Sequence, residues 1–584
     1  FLLGVLIPLI IGDIIDFVSV PGAISDVSHY SLFVLYGVLL IIGLYIIRGS
    51  SGFAGRYLNG KCGESVIFRL REDLFTKLQH QDQEFYDTTS TGSLMTRATT
   101  DMEQLQELFF FGFRALLQGT SVFLFTFLFI FLIDYRLFFI LLLATPILLL
   151  VIVIFPRKLQ PAFYSARKEY ANLTSIIEEN ITGARIVRAF SAQENELKKF
   201  NMSNDEYLDR QINAYKIRAI YLPLMVLVIN FMAAIALIVS AWLVINHILS
   251  VGKIATMMTY FVQLYIPTRF LSQSIVSFQR ARAASDRIVP ILFSEPSIHS
   301  NPYALTNIEE IKSIEFKNVS FIYPRSSNRK VIDGLSFKVN KGQTVAIIGP
   351  TGSGKSTIGK LLTRMYDIQE GNILINNGID IRQIDLKTLR ENISMVHQEV
   401  FLFSRSLYDN LTFIGKDVEP ESIDKILSIA QIDEFIPILE NGLDTKLGER
   451  GVNLSGGQKQ RVSLGRALIK NSPIIVLDDF SSAIDVEIEA EIHKRVKEDF
   501  HDKIIIIITQ RLSSLRLADR VIILNQGKIV EEGTHDELLA LEGIYAKLWK
   551  SQETGIIDFE LLFNNGNQIK NKDLLPLNAK EAAD

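Results

Sequence analysis

The chain holds 584 residues with a formal net charge of −4, and 48% of its residues are apolar. That length exceeds one ordinary domain, and the apolar share, with its positive mean hydropathy, is high for a protein that lives wholly in water. The small net charge argues for neither a nucleic-acid nor an acidic partner. A single cysteine, Cys62, excludes an internal disulfide or a cysteine-based metal cluster within one chain.

The apolar residues are unevenly spread. Long apolar runs fill the chain before about residue 290, at 1–11, 32–47, 116–133, 137–155, 222–245 and 254–278, uncharged except for Arg269 in the last and each near or approaching the length that crosses a bilayer. The first run starts without methionine and reads as a helix whose beginning is trimmed; a basic leader and a small-residue cleavage pattern, which would mark a signal peptide, are both missing. The sixth run is the weakest. Its Thr256, Thr259, Gln263 and Thr268 would be costly facing lipid but suit a helix that lines a water-accessible cavity. Tyr260, Gln263 and Tyr265 of that run, with Phe231 and Met232 of the fifth, are candidate cavity residues, although such a stripe is more often packing.

Orientation follows from the basic residues. The connection after the second run carries Arg48, Arg56, Lys61, Arg69, Arg71, Lys77 and Arg97, and the one after the fourth is equally rich, whereas the alternate loops hold almost none. Both long connections are therefore expected in the cytoplasm, as are both ends of an even number of spans. Each has a helical pattern that breaks at a glycine, Gly92 in the first and Gly183 in the second.

Residues 290–310, with Pro296 and Pro302 and no periodicity, read as a linker. Alternation typical of strands then runs from Ile314 to Tyr323. The apolar stretch Val345, Ala346, Ile347, Ile348 leads into Gly349-Pro350-Thr351-Gly352-Ser353-Gly354-Lys355-Ser356-Thr357, which fits the phosphate-binding pattern G-x-x-x-x-G-K-[ST] in the strand-to-helix context the motif requires. Glycines there let backbone N–H groups close around a polyphosphate at a helix N-terminus. Lys355 would reach the outer phosphates and Ser356 would place a hydroxyl on magnesium.

Further along, Gln398 follows a short strand and could offer an amide to magnesium or to an attacking water. Leu454-Ser455-Gly456-Gly457-Gln458 opens a helix, and Ser455 with Gln458 fits a capping box that leaves the paired glycines unexplained. Asp478 and Asp479 end a buried strand, where α/β sheets present ligands, and Asp478 would hold magnesium. A last buried strand ends at Thr509-Gln510. Tyr323 stands where it can offer a ring to an adenine base, though an isolated strand aromatic is more often core.

Together these residues resemble the ATP-binding cassette (ABC) exporters, in the form of a half-transporter. Tyr323, the phosphate loop, Gln398, the signature from Leu454 to Gln458, Asp478 and the loop Ser482-Ala483-Ile484-Asp485 fall in family order. The segment from Leu447 to Gly451 is similar to the family's contact to the coupling helices, which the breaks at Gly92 and Gly183 also suggest. The resemblance implies an α-helical membrane domain of six transmembrane helices with long cytoplasmic extensions (1–289), the linker (290–310), and an α/β P-loop ATPase domain of ABC type (311–551). A polar, aperiodic tail at 552–584 is expected to be disordered. It implies ATP and Mg2+ as cofactors, the former contacted also by Leu454, Ser455, Gly456, Gly457, Gln458 and Asp485. Ser356, Gln398 and Asp478 are the implied metal ligands, and the cell membrane is the implied location.

Two positions depart from the family pattern. Asp479 stands where the family has its catalytic glutamate, and Gln510 where it has a switch histidine. Shortening a base by one carbon–carbon bond withdraws it by about 1.5 Å, and misplacement on the order of 1 Å can cost a hundredfold in rate. This chain's own site is thus expected to bind ATP but hydrolyse it poorly. The resemblance then implies a second, non-identical half-transporter with an intact glutamate, whose site the signature here completes, and an amphiphilic compound or drug as the exported substrate. A homodimeric exporter with a slow ATPase, a lipid or peptide exporter, and an ATP-gated regulator that does not pump remain open.

Overall fold

The computed structural model describes residues 2–19, 27–324, 329–413, 418–511, 515 and 518–553. The tail expected from 552 falls, beyond Glu553, outside the described residues. In chain order the first helices are α1 (Leu2–Val18), α2 (Val27–Gln79), α3 (Gln83–Thr88), α4 (Thr91–Thr96), α5 (Met102–Glu107), α6 (Phe113–Ile133), α7 (Tyr135–Thr182), α8 (Ala184–Ala189), α9 (Gln193–Ile245), α10 (Val251–Gln263) and α11 (Tyr265–Leu292). Two π-helical turns, Arg97–Asp101 and Leu108–Gly112, lie between α4 and α5 and between α5 and α6. The chain divides into two compact units, Phe1–His80 with Thr89–Ser294 and Gln81–Thr88 with Glu295–Asp584.

In the first unit, stretches within α2, the helical run Thr91–Ile133 and α9 are long and apolar enough to cross a membrane. The outward apolar side chains of α2, among them Leu39, Leu40, Ile46 and Ile47, are exposed in this chain, which suits a lipid-facing surface. Helices α7 and α9 contain 48 and 53 residues. At about 1.5 Å per residue each is roughly 70–80 Å long, against about 30 Å of bilayer hydrocarbon, so both extend well beyond their apolar runs. Both stretches break: α7 ends at Gly183 before α8, whereas the first break falls at Thr89 and Ser90, where Ser90 caps α4 by accepting from the Ser93 N–H, and Gly92 itself lies inside α4.

The polar residues of the sixth run are not where the sequence suggested. Pro8 removes an N–H inside α1 and forces the Gly4 carbonyl away from its helical bond; Gln263 donates to that carbonyl at 3.4 Å. Tyr260 donates to the Val5 carbonyl at 2.7 Å, and Thr256 to the Pro8 carbonyl at 3.0 Å. Thr259 and Thr268 bond back to Ala255 and Leu264 of their own helical stretch. Thr256, Tyr260 and Gln263 thus satisfy the backbone of α1, and Thr259 and Thr268 their own, which is the cheaper solution where water is absent. Met232 is likewise buried and Phe231 is exposed; Tyr265 borders a cavity. Pro267 explains why the sixth run is two helices: its ring excludes a straight continuation past the Gln263 carbonyl, and α10 gives way to α11 at Leu264.

The second unit is α/β. Its strands are β1 (Ser313–Phe321), β2 (Ile332–Asn340), β3 (Thr344–Ile348), β4 (Glu370–Ile375), β5 (Ile379–Asp380), β6 (Ile393–Val396), β7 (Ile474–Asp478), β8 (Ile504–Ile508), β9 (Arg520–Asn525) and β10 (Lys528–Gly533). Its later helices are α12 (Lys355–Leu362), α13 (Leu386–Glu391), α14 (Leu407–Leu411), α15 (Pro420–Ile429), α16 (Gly456–Ile469), α17 (Val486–Asp499), α18 (His535–Ala540) and α19 (Ile544–Glu553). An antiparallel sheet ordered β2-β1-β4-β5 accompanies a second sheet ordered β10-β9-β3-β8-β7-β6, parallel except at its β10 edge.

Continuous apolar strands such as the five isoleucines of β8 are what a parallel sheet covered on both faces requires. Alternate residues go to opposite cores: Val345, Ile347, Val476 and Ile506 join the antiparallel sheet's cluster, while Ile475, Leu477, Ile505 and Ile507 join a helical cluster with Leu411, Ile426 and Leu464. Gln81–Thr88 belongs to this unit through polar contacts: Asp82 accepts from the Ser297 amide at 2.8 Å, and the Tyr366 hydroxyl donates to Asp87.

The α1–α10 contact yields a test of the membrane unit. A Cβ on Gly252 would overlap the Gly12 carbonyl, a rigid backbone atom. Gly252→Val should therefore cost about 1–3 kcal/mol, as overpacking does, read as a lower Tm of the purified full chain in detergent. An unchanged Tm would show that the two helices do not meet this closely.

A candidate nucleotide site

The phosphate loop lies between β3 and α12, at the carboxyl edge of the parallel sheet. Gly354 has φ +101°, a conformation side chains rarely adopt, and a Cβ there would come within 2.8 Å of the Val331 carbonyl. The loop folds around its own lysine: Lys355 Nζ donates to the Gly349 and Pro350 carbonyls at 2.7 and 2.8 Å. Ser356 Oγ donates to Asp478 Oδ1 at 2.9 Å. That pairing is possible because β3 and β7 flank β8, so the start of α12 and the end of β7 open on the same edge.

These groups border a cavity of about 360 Å3. The structure brings Tyr323, Thr351, Gly352, Gly354, Lys355, Ser356, Thr357, Gln398, Asp478, Asp479 and Gln510 together on its wall. Tyr323 is half-buried, its ring edge-on to Phe321 and Tyr366 and its hydroxyl 3.1 Å from Thr357 Oγ1, so it serves the core and the cavity at once. Gln510 reaches Thr351 Oγ1 at 3.5 Å. Asp479 has φ +45°, which short polar residues tolerate, and its N–H donates to the Ile508 carbonyl at 2.8 Å.

Burial sets the electrostatics. It lowers the Lys355 ammonium to about 8, although Asp478 and Asp479 support the charge. Burial raises the Asp478 carboxyl to about 6, and raises Asp479 also, against the pull of Arg511 and Lys355. A lysine this destabilised and a buried serine hydroxyl, Ser353 Oγ, with no hydrogen-bond partner among the described residues both fit a polyanion in the loop. Ser356 and Asp478, two hard oxygen donors already in contact, with Gln398 beside them, fit a magnesium ion that takes its remaining ligands from phosphate and water.

The signature residues and Asp485 do not border this cavity. Ser455 and Gln458 form the full capping box of α16, Gln458 N to Ser455 Oγ at 3.3 Å and Ser455 N to Gln458 Oε1 at 2.8 Å. The paired glycines have a reason within the chain: a Cβ on Gly457 would lie 2.7 Å from the Ala483 carbonyl, and one on Gly456 3.3 Å from Ala483 Cβ. Sequence reasoning missed the brace around them. Gln460 donates to Ser482 Oγ at 2.7 Å and accepts from Ala483 N at 2.9 Å. Arg511 donates to the Ile484 and Ser482 carbonyls and to the fully buried Glu489, which also accepts from Ser481. A glutamate at a position the α17 pattern buries was the available signal.

Fold and site thus define a membrane protein with a P-loop nucleotide domain. Residues 2–268 match the family model "ABC transporter transmembrane region" and 332–482 the model "ABC transporter". The chain is 34% identical over 88% of its length to the "Uncharacterized ABC transporter ATP-binding protein YknU" of Bacillus subtilis, 87% of which is covered. It is 33% identical to an "ATP-dependent lipid A-core flippase" of Desulfotalea psychrophila, over 88% of this chain and 89% of that one. A solved structure described as "a bacterial Atm1-family ABC exporter with ATP bound" superposes with a TM-score of 0.79 at 25% identity, over 94% of this chain and 96% of the other.

The chain belongs to the ABC transporters. It is an exporter half-transporter of the plasma membrane that couples ATP to transport, with its nucleotide-binding domain in the cytoplasm.

Lys355→Ala should weaken binding of an ATP analogue at this chain's site, measured in the assembled transporter; unchanged affinity would remove Lys355 from the site. Because a carboxyl raised to about 6 is neutral below that pH and charged above it, magnesium-dependent nucleotide affinity should fall as pH drops through about 6 and be greatest between that value and the Lys355 value of about 8. A flat titration would exclude Asp478 as the metal ligand.

Proposed function

We propose that the chain is the degenerate-site subunit of a heterodimeric exporter of amphiphilic compounds. The observation that carries this is Asp479 and Gln510 together on the wall of one nucleotide cavity. A general base must come within hydrogen-bond reach of the attacking water, and aspartate is the shorter carboxylate. Gln510 can donate a hydrogen bond to a terminal phosphate but cannot carry the positive charge of an imidazolium.

In this reading the loop from Gly349 to Thr357 holds the ATP phosphates, Tyr323 stacks on the base, and Ser356, Gln398 and Asp478 hold magnesium, whose charge offsets that of the phosphates. The chain's own site retains nucleotide through many turnovers and keeps the nucleotide domains together. The signature, Leu454 to Gln458 with Asp485 nearby, stands clear of the chain's own cavity and completes the partner's hydrolytic site. The segments around Gly92 and Gly183 pass domain closure to the membrane helices, alternating the exposure of the transport pathway.

Removing the partner's catalytic carboxylate should nearly abolish ATP turnover, whereas Asp479→Asn should leave most of it and Ser455→Ala should damage it strongly. Equal slowing by the first two, or a fully active dimer of this chain alone, would sink the heterodimer reading. Coupling has a separate test. A side chain at Gly92 meets open space in this chain, so Gly92→Trp leaves α4 free to form and should reduce transport much more than hydrolysis; a proportional fall in both would deny the segment a selective role.

A further inference from the structure

The first unit contains a second cavity, of about 1030 Å3, walled by α7, α9 and α11 with Glu107 and Phe111. Four arginines border it: Arg167, Arg218, Arg269 and Arg280. Glu107 is the one carboxylate on its wall, and it is already engaged, 3.6 Å from Arg280 Nη1 and accepting from Ser277 Oγ at 3.2 Å. Arg167, Arg218 and Arg269 have no carboxylate within 4.0 Å among the described residues, and all three are exposed. The rest of the wall is uncharged and mixed: Phe163, Tyr164 and Tyr265 give it an aromatic part, and glutamines and serines share the remainder with aliphatic side chains.

The level of this cavity matters. The apolar run of α7 ends near residue 155 and that of α9 begins near 222, so Arg218 lies about one helical turn and Arg167 about three turns past them on the cytoplasmic side. Basic residues at this level are what topology demands, but topology alone does not gather three unpaired guanidiniums around one concavity. Low-dielectric walls with one sign of charge focus the field and raise the local concentration of counter-ions. Guanidinium pairs with carboxylate, sulfonate and phosphate in a two-pronged geometry, and the aromatic part of the wall suits an apolar body.

We infer that this cavity admits amphiphiles with a compact anionic head and an apolar tail and disfavours cationic ones. This deepens the exporter reading above and rests on it for the step from binding to transport. The head group belongs to an acidic lipid of the inner leaflet or to a soluble organic acid, and the shared chemistry is the anion.

The test uses the full transporter reconstituted in phosphatidylcholine vesicles, without nucleotide, and three dansyl-labelled alkyl probes that differ only in head group: sulfonate, neutral amide and quaternary ammonium. The sulfonate probe should bind at least about tenfold more tightly than the ammonium probe. Arg218→Gln with Arg269→Gln should erase that gap, and Glu107→Gln should widen it, a gain that misfolding cannot produce. Equal affinities, a preference for the cation, or a gap that survives both arginine substitutions overturns the inference. Adding phosphatidylglycerol separates the sources: competition assigns the site to acidic lipid, and its absence to soluble amphiphiles. ATP-driven uptake of the neutral probe into inverted vesicles reads the exporter function independently. Uptake with no anion preference refutes the inference alone, whereas an arginine-dependent preference with no uptake of any probe refutes the exporter reading alone.

Discussion

The nucleotide unit depends on where one buried cation rests. Lys355 sits at the first turn of α12 with its ammonium on the carbonyls of Gly349 and Pro350, so the charge that will face phosphate also closes the loop that must receive it. A buried ammonium without such partners would be far costlier. The bonds are to neutral carbonyls, which offset only part of the desolvation; the lysine is left well below its ordinary pKa and better satisfied by an anion. Strand order supplies the remainder: with β3 and β7 on either side of β8, Ser356 and Asp478 meet without any loop reaching across the sheet. The affinity expected for a magnesium-bound polyphosphate is thus a property of the site's own electrostatics.

Much of this was legible in the sequence because it is encoded locally. The phosphate loop is nine consecutive residues whose strand and helix are its immediate neighbours, and Asp478 ends a run of apolar residues that only a covered strand can use. The helix breaks at Ser90, two residues before the expected Gly92, and at Gly183 were readable for the same reason, since caps and breakers act within a turn. The polar side chains of the sixth run were misread because their partners are some 250 positions away. Tyr260, Thr256 and Gln263 answer to the carbonyls of Val5, Pro8 and Gly4, which Pro8 and the small residues of α1 make available. No window along the chain contains both halves of that arrangement. A polar stripe on a membrane helix is compatible with a water-filled cavity or with a neighbour's freed backbone, and only the packing decides.

The brace behind the signature was hidden for a related reason. Gln460 and Arg511 belong to different elements, and both hold the backbone of Ser482 to Ile484, while Glu489 neutralises Arg511 from within the core. A fully buried carboxylate bound to a guanidinium and a serine hydroxyl is tolerable only as a complete network. The glycines at 456 and 457 then read as clearance for Ala483 as much as for a phosphate. The capping box and the close approach are therefore compatible explanations of one motif.

This division of labour explains how the chain can carry changes at 479 and 510 and remain well ordered around them. What ties residue 479 to the sheet is its backbone N–H on Ile508, a bond that does not use the side chain, although φ +45° restricts the position to residues that tolerate it. Gln510 is exposed and holds only a long contact to Thr351, while the structural duty at that turn falls to Arg511 next in sequence. The bonds that hold α16, the Ser482–Ile484 loop and the capping box at Ser455 come from Gln460, Arg511, Ser455 and Gln458, not from the side chains at 479 and 510. In the proposed heterodimer, a signature held rigid independently of residues 479 and 510 would let the two surfaces serve different ATP molecules, so that one could change without disturbing the other.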